Sequence, residues 1–175
     1  AFESTSDRVL ARLRKNHTLA DMERALQILE EAGLPVQATW VPFTPWTRLD
    51  DYLHMLRWIR KQGLIQHVAP VQLSIRLLVP PGSALLDHPD RDEWCGPLDE
   101  EGFSYRWKHR DLRMDELQQE VARFVEGGSG RPAAEQFEAI ESMAHLMAGL
   151  SPPSRDKNVV EPVTAPPRMT EDWFC

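Results

Sequence analysis

Apolar residues recur three and four positions apart in three stretches of the first 62 residues, and shorter extended runs separate them. Ser6 stands where a cap belongs, ahead of a short helix with Val9, Leu10 and Leu13 on one side. Thr18 caps a second helix, in which Leu19, Met22, Leu26 and Leu29 form a stripe that Gly33 ends. Leu53, Leu56 and Ile59 line up in a third helix, from about Leu49 to Gln62, with Gly63 as its stop. The extended runs read as strands. The first ends in Ala1-Phe2-Glu3-Ser4. The second is Val36 to Phe43, followed by the loop Thr44-Pro45-Trp46-Thr47. The third is Val71 to Val79, closed by Pro80-Pro81-Gly82-Ser83. Alternation of strand and helix predicts a parallel sheet with right-handed crossovers over residues 1–86. Three strands neither close a barrel nor cover both faces of a sheet, so the rest of the sheet is expected upstream of Ala1.

The remainder of the chain reads differently. Residues 87–101 hold seven acidic groups against the single Arg91, and Arg106, Lys108, Arg110 and Arg113 follow, so residues 87–112 predict a solvated loop or small excursion. Two helices come next within residues 113–150. One carries Met114, Leu117, Val121 and Phe124 on one face, the other Phe137, Ile140, Ala144 and Met147, with Gly127-Gly128-Ser129-Gly130 as the hinge. Residues 151–175 hold five of the fourteen prolines without hydrophobic period, the pattern of an extended, mobile tail.

A chain of 175 residues, 42% hydrophobic and 27% charged, has the composition of a globular domain. No apolar run reaches the roughly 18 to 20 residues of a membrane helix. With 20 basic against 27 acidic residues the formal charge is -7, which disfavours nucleic acid and anionic lipid except at a local patch. Cys95 and Cys175 are too few for a disulfide framework and suit a reducing compartment, with the cytoplasm as default. None of the six histidines pairs at helical spacing and neither cysteine has a ligand neighbour, so no self-contained metal site is expected.

Ligands in α/β folds bind at the carboxyl ends of parallel strands, where loops diverge and helix amino termini point into the crevice. Glu3-Ser4-Thr5-Ser6-Asp7 stands at such a junction. Glu3 can accept from an amine or ribose hydroxyls and Ser4 can donate to oxygen, or Ser6 and Asp7 simply cap a helix. Thr44-Pro45-Trp46-Thr47 and Arg76 are the equivalent candidates on the next two strands. Arg76, a lone cation in an apolar strand, requires either a polar lumen with a ligand or an internal acidic partner. Trp94, Trp107 and Arg106 suggest a lid with room for a planar or anionic group.

In order and spacing, Glu3-Ser4-Thr5-Ser6-Asp7, Leu10, Lys15-Asn16-His17-Thr18 and Ala32-Gly33 resemble a segment at the fourth strand of the radical S-adenosylmethionine enzyme barrel. Ile75 to Ser83 resembles that barrel's sixth strand and loop, whereas Val41 to Thr47 replaces the family's glycine-rich fifth-strand turn. Met169-Thr170-Glu171-Asp172-Trp173-Phe174-Cys175 is similar to the lead-in of the CUAEP/CCAEP tail, in which Cys precedes selenocysteine or Cys and then Ala-Glu-Pro.

The resemblance implies the carboxyl-terminal half of a partial (β/α)6 barrel, followed by two helices and an extended tail. It implies S-adenosylmethionine cleaved reductively at a 4Fe-4S cluster, the cluster held by a cysteine triad in the missing amino-terminal half. By the same resemblance Glu3 and Ser4 face the ribose and methionine moieties and the main chain around Leu78 faces the adenine. Arg76 is a further candidate for the cofactor pocket. Cys175 becomes a redox thiol beside a presumed selenocysteine. The fragment alone is expected to bind neither group and to be inactive, its partner being the missing half and its substrate a small molecule or peptide. The alternative is a non-catalytic α/β binding or interaction domain, whose acidic loop and proline-rich tail recruit partners.

Overall fold

A computed structural model describes residues 1–128 and 130–153. Among them the chain is mixed α/β, with six α-helices and one two-stranded antiparallel sheet. Helix α1 (Asp7–Arg12) buries Val9 and Leu10. Ser6 occupies its N-cap position without a side-chain cap bond; its carbonyl accepts from the Leu10 N–H instead. Helix α2 (Leu19–Glu31) opens with a reciprocal capping box between Thr18 and Asp21, and Gly33 beyond its end has a φ of 65°, the left-handed stop that glycine adopts without a Cβ penalty. Only Met22 of its predicted stripe is fully buried. Helix α3 (Leu49–Lys61) is the most deeply embedded, with Leu49, Tyr52, Leu53, Met55, Leu56, Trp58 and Ile59 all buried.

Main-chain bonds join three extended segments side by side in chain order. The Glu3 N–H donates to the Thr39 carbonyl and its own carbonyl accepts from Val41, a parallel bridge between Glu3 and Trp40. The Phe43 N–H donates to Ile75 and its carbonyl accepts from Leu77, a parallel bridge between Phe43 and Arg76. Continuous strands over Val36 to Phe43 and Val71 to Val79 do not form. Pro42 has no N–H and interrupts the ladder between Trp40 and Phe43. Residues Pro70–Leu73 wind instead into a 3-10 turn that Pro70 initiates at its first position, and the Ser74 hydroxyl closes it by donating to the Val71 carbonyl. No barrel forms among the described residues.

The acidic excursion is more ordered than its composition predicts. It holds α4 (Arg91–Trp94) and a hairpin of β1 (Cys95–Asp99) and β2 (Ser104–Trp107), which pairs Cys95 with Trp107 and Asp99 with Ser104. Its second strand is tied to the third segment, because the Tyr105 N–H donates to the Val79 carbonyl. Trp94 and Trp107 pack with Val9, Leu13, Trp46 and Val79 in a second, smaller core.

Helices α5 (Leu112–Glu126) and α6 (Ala133–Met147) bury the faces their spacing predicts: Met114, Leu117 and Val121, and Phe137, Ile140 and Ala144. They join the main core on α3. Glu141, buried at the α3–α6 contact, is held by Arg60 at 2.5 Å, and the Arg60 guanidinium lies over the Phe137 ring. Tyr52 donates to the Leu73 carbonyl at 2.9 Å, and burial pushes its phenol pKa far above the ordinary value.

Leu56 is fully buried beneath the parallel segments, whereas Leu78 is 72% exposed. Leu56→Ala should therefore lower stability by about 2–5 kcal/mol, and Leu78→Ala should change it by less than about 0.5 kcal/mol. Urea unfolding of the two variants checks the contrast.

Candidate functional site

The carboxyl ends of the three segments each present polar side chains, and every one is held in a defined way. Glu3 has a φ of 66°, a left-handed backbone unusual for a residue with a Cβ. That conformation lets the Ser4 N–H turn back onto the Phe2 carbonyl at 2.8 Å. The Glu3 carboxylate, 14% exposed, sits 2.8 Å from Lys15 Nζ, so two residues of the same motif meet in space. Ser4 is buried, and its Oγ accepts from the Ser6 N–H. Thr5 is buried beside it, with its hydroxyl 3.0 Å from His54 Nδ1. Asp7 accepts from the Leu19 N–H, tying α1 to the start of α2.

At the second segment, Thr44 and Thr47 are buried with their hydroxyls 2.8 Å apart, and Thr44 Oγ1 also accepts from the N–H groups of Trp46 and Thr47. These hydroxyls fold the loop on itself, a local bond pattern that competes with extended structure. At the third, Arg76 finds an internal acid. Its Nη1 lies 2.7 Å from Asp115, its Nη2 donates to the Trp107 carbonyl, and its guanidinium stacks 3.5 Å above the Trp107 ring. Asp115 also accepts from the His109 N–H, and the Trp107 indole donates to Leu77. Arg76 thus clamps the third segment to β2 and α5. Beyond it the main-chain N–H and C=O of Leu78 make no hydrogen bond among the described residues, while Val79 is bonded at both groups to Ser104 and Tyr105. Cys175 lies outside the described residues.

Past these loops lies a cavity of about 460 Å³, walled by α1, the turn at residues 45–48, α4 and residues 108–111. Of the expected lid, Trp94 lines it; Arg106 and Trp107 do not, Arg106 pairing with Asp99 in the hairpin. Trp46 and Trp94 meet edge to face with ring centroids 5.2 Å apart. Their indole N–H groups are buried and have no acceptor among the described residues. Five cations surround the cavity, three of them with acidic partners. Arg8 pairs with Asp51 at 2.6 Å, Arg12 with Asp90, and Arg110 with Glu93. Arg48 and Lys108 have no ion-pair partner among the described residues. Sequence reasoning missed these two because they lie 60 positions apart in loops and share no spacing.

Two of the cavity's carboxylates, Asp90 and Asp111, are favoured in their charged form. Burial by itself would raise Asp90, but the adjacent Arg12 and His88 charges and hydrogen bonds outweigh it and bring its pKa below the usual carboxylate range. Hydrogen bonds from the Arg113 side chain and main chain, with the Arg113 charge, lower Asp111 despite some burial. Among the described residues no group of three or more His, Cys, Asp or Glu side chains is disposed to hold a metal ion. Comparison with family models, characterised proteins and solved structures finds no match.

Two outcomes follow from these bonds. Arg76→Ala and Asp115→Ala should each destabilise the protein by about 1–3 kcal/mol, and the double variant should cost much less than the sum, as a double-mutant cycle by chemical unfolding will show. Because the folded pKa of Asp90 is lowered, its ionised form contributes stability in full above the ordinary carboxylate pKa of about 4. That contribution is lost as the pH falls through the lowered folded value. The stability gap between wild type and Asp90→Asn should accordingly close in acid, and thermal unfolding across that range measures it.

Proposed function

We propose that this chain supplies the carboxyl-terminal half of the S-adenosylmethionine-binding barrel of a radical S-adenosylmethionine enzyme, with a tail of the CUAEP/CCAEP type. The observation that carries this reading is the parallel pairing of three segments in chain order, joined by helical crossovers, with Glu3 and Ser4 at the carboxyl end of the first. The second of these segments has a covered side and an open one. Ala38 and Trp40 are buried in the main core, whereas Gln37 and Thr39, which alternate with them, are exposed. Parallel sheets are ordinarily covered on both faces, so a further part of the polypeptide belongs on this one.

Most of the residues present fit S-adenosylmethionine. Glu3, kept close by Lys15, offers a carboxylate to ribose hydroxyls or an amine. The Ser4 hydroxyl has accepted one bond and retains its own proton to donate. The open main chain of Leu78 offers a donor and an acceptor to an adenine edge. Arg76 does not fit, since its guanidinium is engaged by Asp115 and Trp107; its role is to fix the third segment. A 4Fe-4S cluster held elsewhere in the polypeptide would supply the electron that cleaves S-adenosylmethionine. This chain's residues would bind and orient the cofactor, and Cys175 would serve as a redox thiol in the tail.

The test is anaerobic reconstitution of the intact polypeptide and of the 175-residue chain, with iron counted and methionine release from S-adenosylmethionine followed. The intact protein should hold the cluster and release methionine, and Glu3→Ala should weaken cofactor binding. The 175-residue chain alone should do neither. An intact polypeptide without a cluster, or a fully active 175-residue chain, contradicts the reading, and the former leaves the non-catalytic binding domain in its place.

A further inference from the structure

We propose that the cavity between α1 and α4 binds a small organic oxyanion, a carboxylate or phosphate carried on a flat apolar body. The inference does not depend on the barrel reading, because the cavity's walls come wholly from the described residues and omit Glu3, Ser4 and Leu78.

Charge is the first argument. The chain as a whole carries -7, yet five cations converge on this cavity. Its three carboxylates are already engaged: Asp90 by Arg12 and His88, Glu93 by Arg110, and Asp111 by Arg113. Arg8 is likewise neutralised by Asp51. That leaves Arg48 and Lys108 as two positive side chains lining the cavity that have no ion-pair partner among the described residues. An anion in the cavity would give both a partner, and arginine recognises carboxylate and phosphate oxygens through paired N–H groups.

The wall is the second argument. Pro45, Trp46 and Trp94 form its apolar part, and His88 lies tilted against Trp46 at 5.6 Å. Trp46 and Trp94 are only 9% and 8% exposed, and their indole N–H groups are buried without an acceptor among the described residues. A pocket of this size, mostly preformed, with rings on one side and a few convergent charges on the other, selects a ligand with an apolar body and one anionic end. Bulk anions without such a body gain only the charge term.

The probe is phenyl phosphate, titrated into the 175-residue chain by calorimetry and by quenching of tryptophan fluorescence, with benzoate as the carboxylate arm. One of the two should bind saturably at one site, about tenfold more tightly than inorganic phosphate or acetate respectively, a difference worth about 1.4 kcal/mol. Arg48→Gln combined with Lys108→Gln should weaken that binding at least about tenfold. Both side chains are exposed and unpaired, so the variant should keep its melting temperature. Arg106→Gln, which removes a cation outside the cavity, should leave binding unchanged. The proposal is overturned if neither probe saturates, if phenol binds as well as they do, or if the double variant binds like wild type.

Discussion

Phe2, Trp40 and Trp58 meet edge to face in a triangle, with ring centroids 5.6 to 6.0 Å apart, where the first two parallel segments cross α3. The main-chain bonds between those segments are few, and so short a ladder does not hold three strands in register unaided. The aromatic contact and the apolar bed of α3 supply what the ladder lacks, since each large ring removes a wide area of apolar surface from water. The positions of Glu3, Ser4 and the Thr44–Thr47 turn follow from it, because each sits at the end of a segment that this packing fixes. Arg76 does the same for the third segment by a different means, stacking on Trp107 and pairing with Asp115.

The same division explains why the two faces of the segments differ so much. In the second segment Ala38 and Trp40 are buried in the main core. Gln37 and Thr39, which alternate with them, are polar and exposed. A small sheet can keep one wet face when it is antiparallel, but parallel pairing with helical crossovers is built for burial on both sides. In the reading we propose, the open side and the polar ends of the segments belong to one functional edge shared with more polypeptide. By contrast, the residues that line the cavity between α1 and α4 are all among the described residues of this chain.

Much of this was legible in the residues. The helices declared themselves through caps, stripes and stops: Thr18, Gly33, Gly63, and the faces Leu53/Leu56/Ile59 and Phe137/Ile140/Ala144 all fall where their spacing predicts. Strands were harder, because an apolar run such as Val71 to Val79 carries no period that separates a strand from a turn, and Pro70 with Ser74 tips it into a 3-10 turn. The hairpin at residues 95–107 was hidden by its charge, since one paired edge can carry acids and arginines that bond across it, as Asp99 and Arg106 do. The demand of Arg76 for an acid was readable; that Asp115, 39 positions away, would meet it was not, because only tertiary packing brings α5 there. That Arg48 and Lys108 line one cavity was hidden for the same reason.

If another part of the polypeptide completes the sheet over its open face, as we propose, Thr39 must change its surroundings on assembly. The direct measurement places a single cysteine there, Thr39→Cys, and follows thiol labelling at that position by peptide mass spectrometry in the 175-residue chain and in the intact polypeptide. The thiol should label promptly in the former, where residue 39 is exposed, and should be protected in the latter. Equal labelling in both would mean that the face stays open to water and that no second half-sheet covers it.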